Sequence, residues 1–297
     1  MTVCKNPEYS TTRMLVASGV QDNNNQKLET TGGLRIEGYA KVGSPEKPLI
    51  SVIMAVFNSA DVLEHAIRSV IYQQYENVEF IVIDGGSTDG SVDIFKKYNN
   101  CIDYWVSEPD DGIYYALNKG IDVSKGDWLY FLGSDDVMIN SLHVLTKKFL
   151  DPFCVYYGDV YYPSSHKLFG GEFSTYRLMN CQIPHQATFY PRNLFLQHKF
   201  NTNYISAADY EFNIVCYNNK KFRYEYLPIL VALYEDTSGF STLDLDKKFH
   251  TEKNDLLKKY FSKADYIKYV IRISIKKFDQ CFFRKLLHTL KKYFKNR

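Results

Sequence analysis

Two adjacent aspartates, Asp135 and Asp136, follow an apolar run at 128–132 after Gly133 and Ser134. Adjacent carboxylates repel each other unless a cation or solvent offsets their charge. Hard divalent ions bind one or two protein carboxylates and complete their coordination with phosphate groups of a substrate. The pair therefore predicts a site in which Mg²⁺ or Mn²⁺ holds a diphosphate, with a solvated turn as the open alternative.

A third carboxylate, Asp84, ends another apolar run at 78–83 and begins a glycine-rich turn. Its oxygens can accept hydrogen bonds from ribose hydroxyls or from a base N–H group. Gly85 and Gly86 allow a ligand to approach the backbone closely. We therefore predict that Asp84 binds a ligand, and that Asp89 caps the following helix.

Further along the chain, Asp209 lies in an apolar context after two alanines. A partly desolvated carboxylate suits the removal of a proton from a hydroxyl group. A helix cap is an equally open interpretation of Asp209. His185 and Gln186 follow Pro184 and can hydrogen-bond an acceptor, although spacing alone favours a structural role for a single histidine.

The elements that position these residues follow from the hydrophobic pattern. Apolar runs at 49–57, 78–83, 102–106 and 128–132 alternate with helical patterns. This alternation predicts an α/β fold with a mostly parallel central sheet and helices on both faces. Ligands bind beyond the carboxyl ends of such strands. Here those ends carry Asn58, Asp84, the segment 108–111, and the pair Asp135 and Asp136.

We predict three regions: a poorly ordered extension at 1–47, a catalytic domain at 48–240, and a basic helical region at 241–297. The last region holds 16 Lys and Arg against 6 Asp and Glu. Large apolar residues recur there at a spacing of four, which is typical of a basic amphipathic helix. They are Phe278, Phe282, Leu286, Leu290 and Phe294. Such a helix predicts binding to an anionic membrane surface, and a solvated helix is the alternative.

Several classes of protein are disfavoured by missing signatures. The chain has neither G-x-x-x-x-G-K-[ST] nor G-x-G-x-x-G, which argues against a P-loop ATPase and an NAD dehydrogenase. Six dispersed cysteines without a C-x-x-C pair argue against a zinc site and predict reduced thiols in the cytoplasm. No leader peptide and no apolar run of spanning length is evident.

Four segments in combination resemble family 2 glycosyltransferases with the GT-A fold. They are 49–58, 81–90, 107–120 and 126–136. The stretch 184–192, with 208–212, resembles the subgroup that includes colanic-acid, capsule and O-antigen transferases. The resemblance covers roughly residues 34–235.

The resemblance implies roles for individual residues. Asp209 is the implied catalytic base, Asp135 and Asp136 are the implied metal ligands, and His185 and Gln186 lie on the acceptor side. The implied donor-binding residues are Val56, Asn58, Asp84, Gly86, Asp110, Asn118, Ser134 and Asp135. Two positions depart from the family pattern, because Gly133 replaces a common Asp and Ala208 replaces a common Glu.

We therefore expect an inverting transfer of sugar from a nucleotide-diphosphate sugar, with UDP as the expected carrier. The expected acceptor is lipid-linked or an oligosaccharide, in cell-surface polysaccharide biosynthesis at the inner face of the cell membrane, with no nucleic-acid partner. A sugar nucleotidyltransferase is an alternative, but no basic glycine-rich loop follows the first strand. A nucleic-acid-binding protein using the basic tail and a non-catalytic, lectin-like relative are the others.

Overall fold

The computed structural model describes residues 30–236 and 246–275, together with the backbone of one strand at Arg13–Leu15. The predicted amphipathic stretch from Phe278 to Phe294 lies outside the described residues. No helix in the described part of the chain is long and apolar enough to cross a membrane.

The strands are β1 (Arg13–Leu15), β2 (Thr31–Gly32), β3 (Tyr39–Lys41), β4 (Ile50–Val56), β5 (Val78–Asp84), β6 (Tyr104–Ser107), β7 (Trp128–Gly133), β8 (Val137–Met138), β9 (Cys154–Tyr162), β10 (Lys167–Phe169), β11 (Thr188–Pro191) and β12 (Arg223–Leu233). The helices are α1 (Ala60–Ile71), α2 (Ser91–Lys97), α3 (Ile113–Val123), α4 (Leu142–Leu145), α5 (Thr175–Asn180), α6 (Arg192–Phe195), α7 (Ala208–Tyr217), α8 (Lys247–Tyr260) and α9 (263–275). Short 3₁₀ turns occur at Thr146–Lys148 and His185–Ala187.

The central sheet contains ten of these strands, and its main path runs β2-β6-β5-β4-β7-β11-β9-β12-β8. The four strands β6, β5, β4 and β7 are parallel neighbours. They correspond to the four predicted apolar runs, so the predicted parallel sheet is confirmed. In the second half of the chain, β9 and β10 pair antiparallel.

Helices cover both faces of the sheet, as predicted. Along β4, Val52 and Met54 belong to the apolar core that α1 and α2 complete. Ile53, which points to the opposite face, belongs to a second core that includes α3, α7 and α8. Because both faces are covered, the parallel strands are mostly apolar, and Ser51 of β4 and Glu79 of β5 are buried exceptions.

The antiparallel strand β11 carries the second half of the chain back to the edge at which β7 ends. Phe189 pairs with Tyr130, and Tyr190 pairs with Leu129. Just before β11, the carbonyl of Gln186 accepts a hydrogen bond of 2.7 Å from the hydroxyl of Tyr130 in β7. The 3₁₀ turn that contains His185 is thereby brought to the carboxyl end of β7.

Residues 30–47, which belong to the extension predicted to be poorly ordered, pack against the sheet. The strand β2 pairs with β6, and Lys41 is buried with its ammonium 3.3 Å from Asp103. Arg35 donates a hydrogen bond of 2.6 Å to the carbonyl of Val123 and forms an ion pair with Glu79. These buried charges are paired, as the cost of desolvation requires.

Three of the described cysteines fit the expectation of reduced thiols, and a fourth does not. Cys154, Cys181 and Cys216 are free, whereas Cys101 is disulfide-bonded.

Candidate active site

The four parallel strands end at one level of the sheet. Val56 pairs with Asp84, and Asp84 pairs with Ser107 on the other side. Ala55 pairs with Gly133 at the end of β7. The residues that follow these ends therefore form one rim, as predicted for an open α/β sheet.

The environment of Asp84 differs from the predicted ligand-binding environment. The residue is 0% exposed. Its carboxylate accepts hydrogen bonds from the backbone of Gly86 at 3.1 Å, from the backbone and hydroxyl of Ser87, and from the hydroxyl of Ser107 at 2.6 Å. All of its oxygens are thus occupied within the protein, so in this conformation Asp84 orders the glycine-rich loop and does not present a surface to a ribose or a base.

Asn58 joins the ends of β4 and β5. Its backbone adopts a left-handed conformation with φ 47°, which asparagine tolerates better than most residues. Its side-chain oxygen accepts a 2.9 Å hydrogen bond from Thr88, and its own N–H donates to Ser87. Beneath it, the carbonyl of Val56 accepts from Gly85. These contacts fix the loop that borders the predicted donor pocket.

Asp110 lies directly over this loop and remains partly exposed. A side chain on Gly85 would place its Cβ 3.1 Å from the Asp110 carboxylate, and one on Gly86 would meet Pro109 at 3.2 Å. Burial raises the pKa of Asp110, and the charges of Asp84 and Asp111 add to this rise. Asp110 is therefore better placed than Asp84 to receive hydrogen bonds from a donor.

Asp89 ties two helices to the rim. One of its oxygens accepts from the N–H and hydroxyl of Ser91 in the first turn of α2, and the other accepts from Ala60 at the start of α1. The prediction that Asp89 caps the following helix is wrong in its position, because Gly90 occupies the N-cap position of α2, although Asp89 accepts from the first N–H of that helix.

Asp135 and Asp136 follow β7 and differ strongly in environment. Asp136 is buried, and one of its oxygens accepts a 3.1 Å hydrogen bond from the N–H of Glu235. Burial, followed by the charge of Asp135, raises the pKa of Asp136 to about 7. Asp135 is half-buried, and its pKa is also raised, first by burial. Asp135 is therefore the more accessible carboxylate of the pair.

Two predicted neighbours of the pair have internal contacts. Ser134 donates a hydrogen bond of 2.9 Å from its hydroxyl to that of Ser59. Gln186 is buried, and its side chain hydrogen-bonds Asp136 and lowers the pKa of that carboxyl. The structure thus places Gln186 against Asp136, a predicted metal ligand, and not on an acceptor surface as predicted.

The glycine at position 133 has a steric explanation. A Cβ there would lie 2.6 Å from an oxygen of Asp136 and 2.9 Å from an oxygen of Asp135. Contacts this short require the carboxylates to move. The absence of a side chain at Gly133 therefore allows both carboxylates their observed positions, which an aspartate at 133 would disturb.

The two carboxylates fit a divalent cation. Their mutual repulsion and burial, expressed in the raised pKa of Asp136, are the features that a bound cation would offset. Within the described residues, no group of three or more His, Cys, Asp or Glu side chains is arranged to hold a metal ion. A site with two protein carboxylates is nevertheless sufficient for an ion that takes its remaining ligands from a diphosphate.

Asp209 lies in the first turn of α7 and is 3% exposed. One of its oxygens accepts a hydrogen bond of 2.9 Å from the hydroxyl of Tyr114 and another from the N–H of Tyr210. The other oxygen is 2.8 Å from Nδ1 of His185. Ala207 occupies the N-cap position, so the alternative that Asp209 caps the helix is wrong.

His185 connects the two halves of the site. Burial lowers its pKa, but the hydrogen bond to Asp209 and the charges of Asp209, Asp136 and Asp135 outweigh burial and raise the pKa overall. The predicted base, the predicted metal ligands and the predicted acceptor-side histidine therefore share one electrostatic environment.

The family model described as "Glycosyl transferase family 2" matches residues 51–227 of this chain. The match includes the whole rim and both Asp209 and His185. The chain belongs to glycosyltransferase family 2.

Curated relatives agree with this assignment. The transferase is 34% identical over 211 residues to a PGL/p-HBAD biosynthesis glycosyltransferase of Mycobacterium tuberculosis, with 68% of this chain and 82% of that protein covered. It is 40% identical over 99 residues to an uncharacterized glycosyltransferase of Haemophilus influenzae, with 31% of this chain and 38% of that protein covered.

Solved structures share the GT-A fold. The S. aureus TarS structure (residues 1–349) in complex with UDP-GlcNAc superposes with a TM-score of 0.61 at 18% identity, covering 75% of this transferase and 71% of that chain. The same protein in complex with UDP gives a TM-score of 0.59. At this identity the likeness establishes the fold.

One predicted donor-binding residue of the transferase has a structural contact. The side-chain amide of Asn118 donates to the carbonyl of Phe200 at 2.9 Å and accepts from its N–H at 3.0 Å. Asn118 thus fixes the segment before α7 to α3. This contact supports the position of Asp209 and differs from the predicted contact with a donor.

Sequence reasoning missed two residues of the site. Tyr114 bonds Asp209 across 95 positions, and Glu235 bonds Asp136 across 99 positions. Tyr114 lies in the segment 107–120, which resembles the glycosyltransferase family, and this resemblance was the one signal in the sequence that pointed to it. Neither partner can be inferred from local spacing.

Proposed function

We propose that this transferase moves a sugar from a UDP-sugar to a hydroxyl of a lipid-linked or oligosaccharide acceptor, with inversion at the anomeric carbon, in the biosynthesis of a cell-surface glycan. The supporting observation is the meeting of two half-sites at the end of β7. Asp135 and Asp136 supply carboxylates for a diphosphate-bound Mg²⁺ or Mn²⁺, and Asp209 with His185 supplies a group that accepts a proton.

The donor is proposed from two observations. Two closely spaced carboxylates suit a cation that carries a diphosphate, whereas a phosphate-cradling glycine motif is absent from the sequence. TarS, which shares the fold, was solved with UDP-GlcNAc. The rim loop held by Asn58, together with Asp110, is the proposed binding surface for the nucleoside, and Val56 and Gly86 support its backbone.

The proposed reaction is a single displacement. The acceptor oxygen forms a bond to the anomeric carbon while the bond from that carbon to the diphosphate oxygen breaks, and its electron pair stays on the diphosphate. The proton of the acceptor hydroxyl passes to the His185–Asp209 pair. A cation held by Asp135 and Asp136 would supply Lewis-acid stabilisation of the charge on the leaving group.

Nucleotide-sugar binding provides the first test. The melting temperature of the full chain is expected to rise with UDP-sugars in the presence of Mn²⁺, because a ligand that binds the folded state stabilises it. UDP-glucose, UDP-galactose and UDP-N-acetylglucosamine are suitable probes, with release of UDP as the measure of turnover. Asp135→Asn is expected to abolish the Mn²⁺-dependent part of the shift.

Asp122→Asn is the matched control, since Asp122 is an exposed aspartate of α3 that pairs with Lys199. It should retain the shift. Unchanged melting temperatures with every nucleotide sugar, in Mn²⁺ and in Mg²⁺, would contradict the proposed donor class.

We further propose that the C-terminal region binds an anionic membrane surface at the inner face of the cell membrane. Within α9, the side chains of Ile267, Val270, Ile271 and Ile275 form an exposed apolar stripe, between 41% and 55% exposed. Lys268 and Arg272 lie beside this stripe, and Tyr269 packs inward against Tyr176. An apolar stripe flanked by cations is the arrangement that binds at the headgroup boundary of a bilayer.

Vesicle binding tests this role of the stripe. The double variant Ile267→Gln/Ile271→Gln should lower binding to phosphatidylcholine vesicles containing phosphatidylglycerol by on the order of tenfold, because two side chains lose apolar burial in the membrane. Co-sedimentation measures the bound fraction. Leu150→Gln/Leu196→Gln removes two exposed leucines elsewhere and should bind as the wild type does. Equal binding by the stripe variant would contradict this role.

A further inference from the structure

The carboxylate of Asp209 is enclosed by protein. Its side chain is 4% exposed, and each oxygen already accepts a hydrogen bond. The donors are the Tyr114 hydroxyl and the Tyr210 N–H on one oxygen and His185 on the other. This burial leaves an acceptor hydroxyl little access to the carboxylate in the observed conformation.

The imidazole of His185 has the opposite character. Its side chain is 17% exposed, and Nδ1 is bound to Asp209 at 2.8 Å. Nε2 makes no hydrogen bond to any residue of 30–236 or 246–275, and this atom is not fully buried. When Asp209 accepts from Nδ1–H, the neutral ring must carry its lone pair on Nε2.

We propose that Nε2 of His185 is the atom that takes the proton of the acceptor hydroxyl, and that Asp209 is a positioning residue that orients the ring and fixes its tautomer. This inference rests on the proposed function, because it assigns the proton acceptor of that transfer. Tyr114 in turn holds Asp209 from α3, so the dyad is braced from two elements.

The proton balance of the step is complete. The acceptor O–H bond breaks, its proton forms a bond to Nε2, and the oxygen forms its bond to the anomeric carbon. The imidazolium that results keeps its Nδ1–H bond to Asp209, whose negative charge stabilises it. Asp136 and Asp135 are the other charged groups that act on the ring; both favour the imidazolium in the metal-free protein, and a cation held by them would offset this contribution.

The pH dependence has a definite sign. His185 must be neutral to accept a proton, so turnover should fall as the pH drops through its pKa. That pKa is raised above the ordinary histidine value of about 6.5, so the loss of rate should begin at a higher pH than for an unpaired histidine. Removing the charge of Asp209 should move this limb of the profile to lower pH.

Nuclear magnetic resonance of ¹⁵N-histidine-labelled full-length protein tests the orientation without requiring turnover. His185→Gln identifies the resonance among the seven histidines. The expected neutral form is the Nδ1–H tautomer, with a pKa that decreases in Asp209→Asn. A neutral Nε2–H tautomer in the wild type, or a pKa that Asp209→Asn leaves unchanged, would overturn the proposal.

Kinetics test the proton transfer itself. His185→Gln should lower kcat for UDP release from the UDP-sugar that binds by about 10²–10⁴-fold, as expected for loss of a general base. The KM for the donor should change little, and the acid limb should disappear. A His185→Gln enzyme with wild-type kcat and the same acid limb would overturn the role of Nε2.

Two controls separate this inference from its premise. His198→Gln changes an exposed histidine outside the site and should keep both kcat and the pH profile. Binding of UDP with Mn²⁺, measured by calorimetry, should be retained in His185→Gln. Failure of the wild type to bind any UDP-sugar would count against the proposed function, whereas the tautomer and the pKa decide the dyad by themselves.

Discussion

Asp136→Asn should make the protein more stable at pH 8 and inactive as a transferase. Burial and the neighbouring charge of Asp135 raise the pKa of Asp136 to about 7, against an ordinary value of 3.8. The folded state therefore holds a proton that the unfolded state releases at much lower pH. Stability from this group is present below about pH 4 and is lost as the pH rises through about 7.

The asparagine side chain keeps an oxygen that can accept from Glu235 while removing the buried charge. We expect a gain on the order of 2 kcal/mol at pH 8 in EDTA and little gain at pH 4. Urea unfolding at the two pH values measures the difference. Mn²⁺ should stabilise the wild type with UDP present and leave the variant unchanged.

Asp122→Asn, which removes an exposed charge, is again the control and should change the free energy of unfolding little at either pH. A variant that is less stable than the wild type at pH 8 without metal would show that the Asp136 charge is compensated within the protein. Such a result would also weaken the argument that the site is built for a cation.

Phe131→Ala should destabilise the protein more than any surface substitution. Phe131 is fully buried in β7, with its ring centroid 5.1 Å from that of Phe200, 5.6 Å from that of Phe195 and 6.0 Å from that of Tyr190. Truncation of a buried phenylalanine costs about 3–5 kcal/mol through lost burial and the resulting cavity. Asp135 follows β7, and Phe200 lies in the segment before α7. A cavity at position 131 should therefore displace residues of the proposed site, and donor binding should weaken as well.

Urea unfolding measures this loss in the free energy of unfolding, provided that the dependence of that free energy on urea concentration is the same in the variant. Phe131→Leu, which keeps most of the apolar volume, should cost about 1 kcal/mol and retain donor binding. A loss below about 1.5 kcal/mol for Phe131→Ala would indicate that neighbouring rings close the cavity and that β7 is not held by this contact.

Much of the fold was predictable because its determinants are local. The strands β4, β5 and β7 are mostly apolar, and each ends where polar or small residues begin. The N-terminal part was harder to predict. The buried charges of Arg35 and Lys41 have partners 44 and 62 positions away, so the segment has no local pattern that indicates order.

The site was predictable as a set of residues but not as a set of roles. Asp84 lies where the pattern places it, yet tertiary contacts enclose it completely, while Asp110 stays accessible. Asn118 and Gln186 are in the predicted neighbourhood, but their amides bond Phe200 and Asp136. A polar side chain is assigned to a ligand or to the protein by which partners the fold brings within about 3 Å.

The sequence by itself determined the parallel sheet, the rim at which its strands end, and the carboxylates that this rim displays, because hydrophobic period and strand direction are encoded over short windows. Only the tertiary structure decided that Asp209 is enclosed and that His185 is partly exposed beside it. That decision depends on the register of β11 against β7 and on the approach of α3 to α7. The physical reason is that burial and hydrogen-bond partnership are properties of long-range packing, which no local spacing of residues specifies.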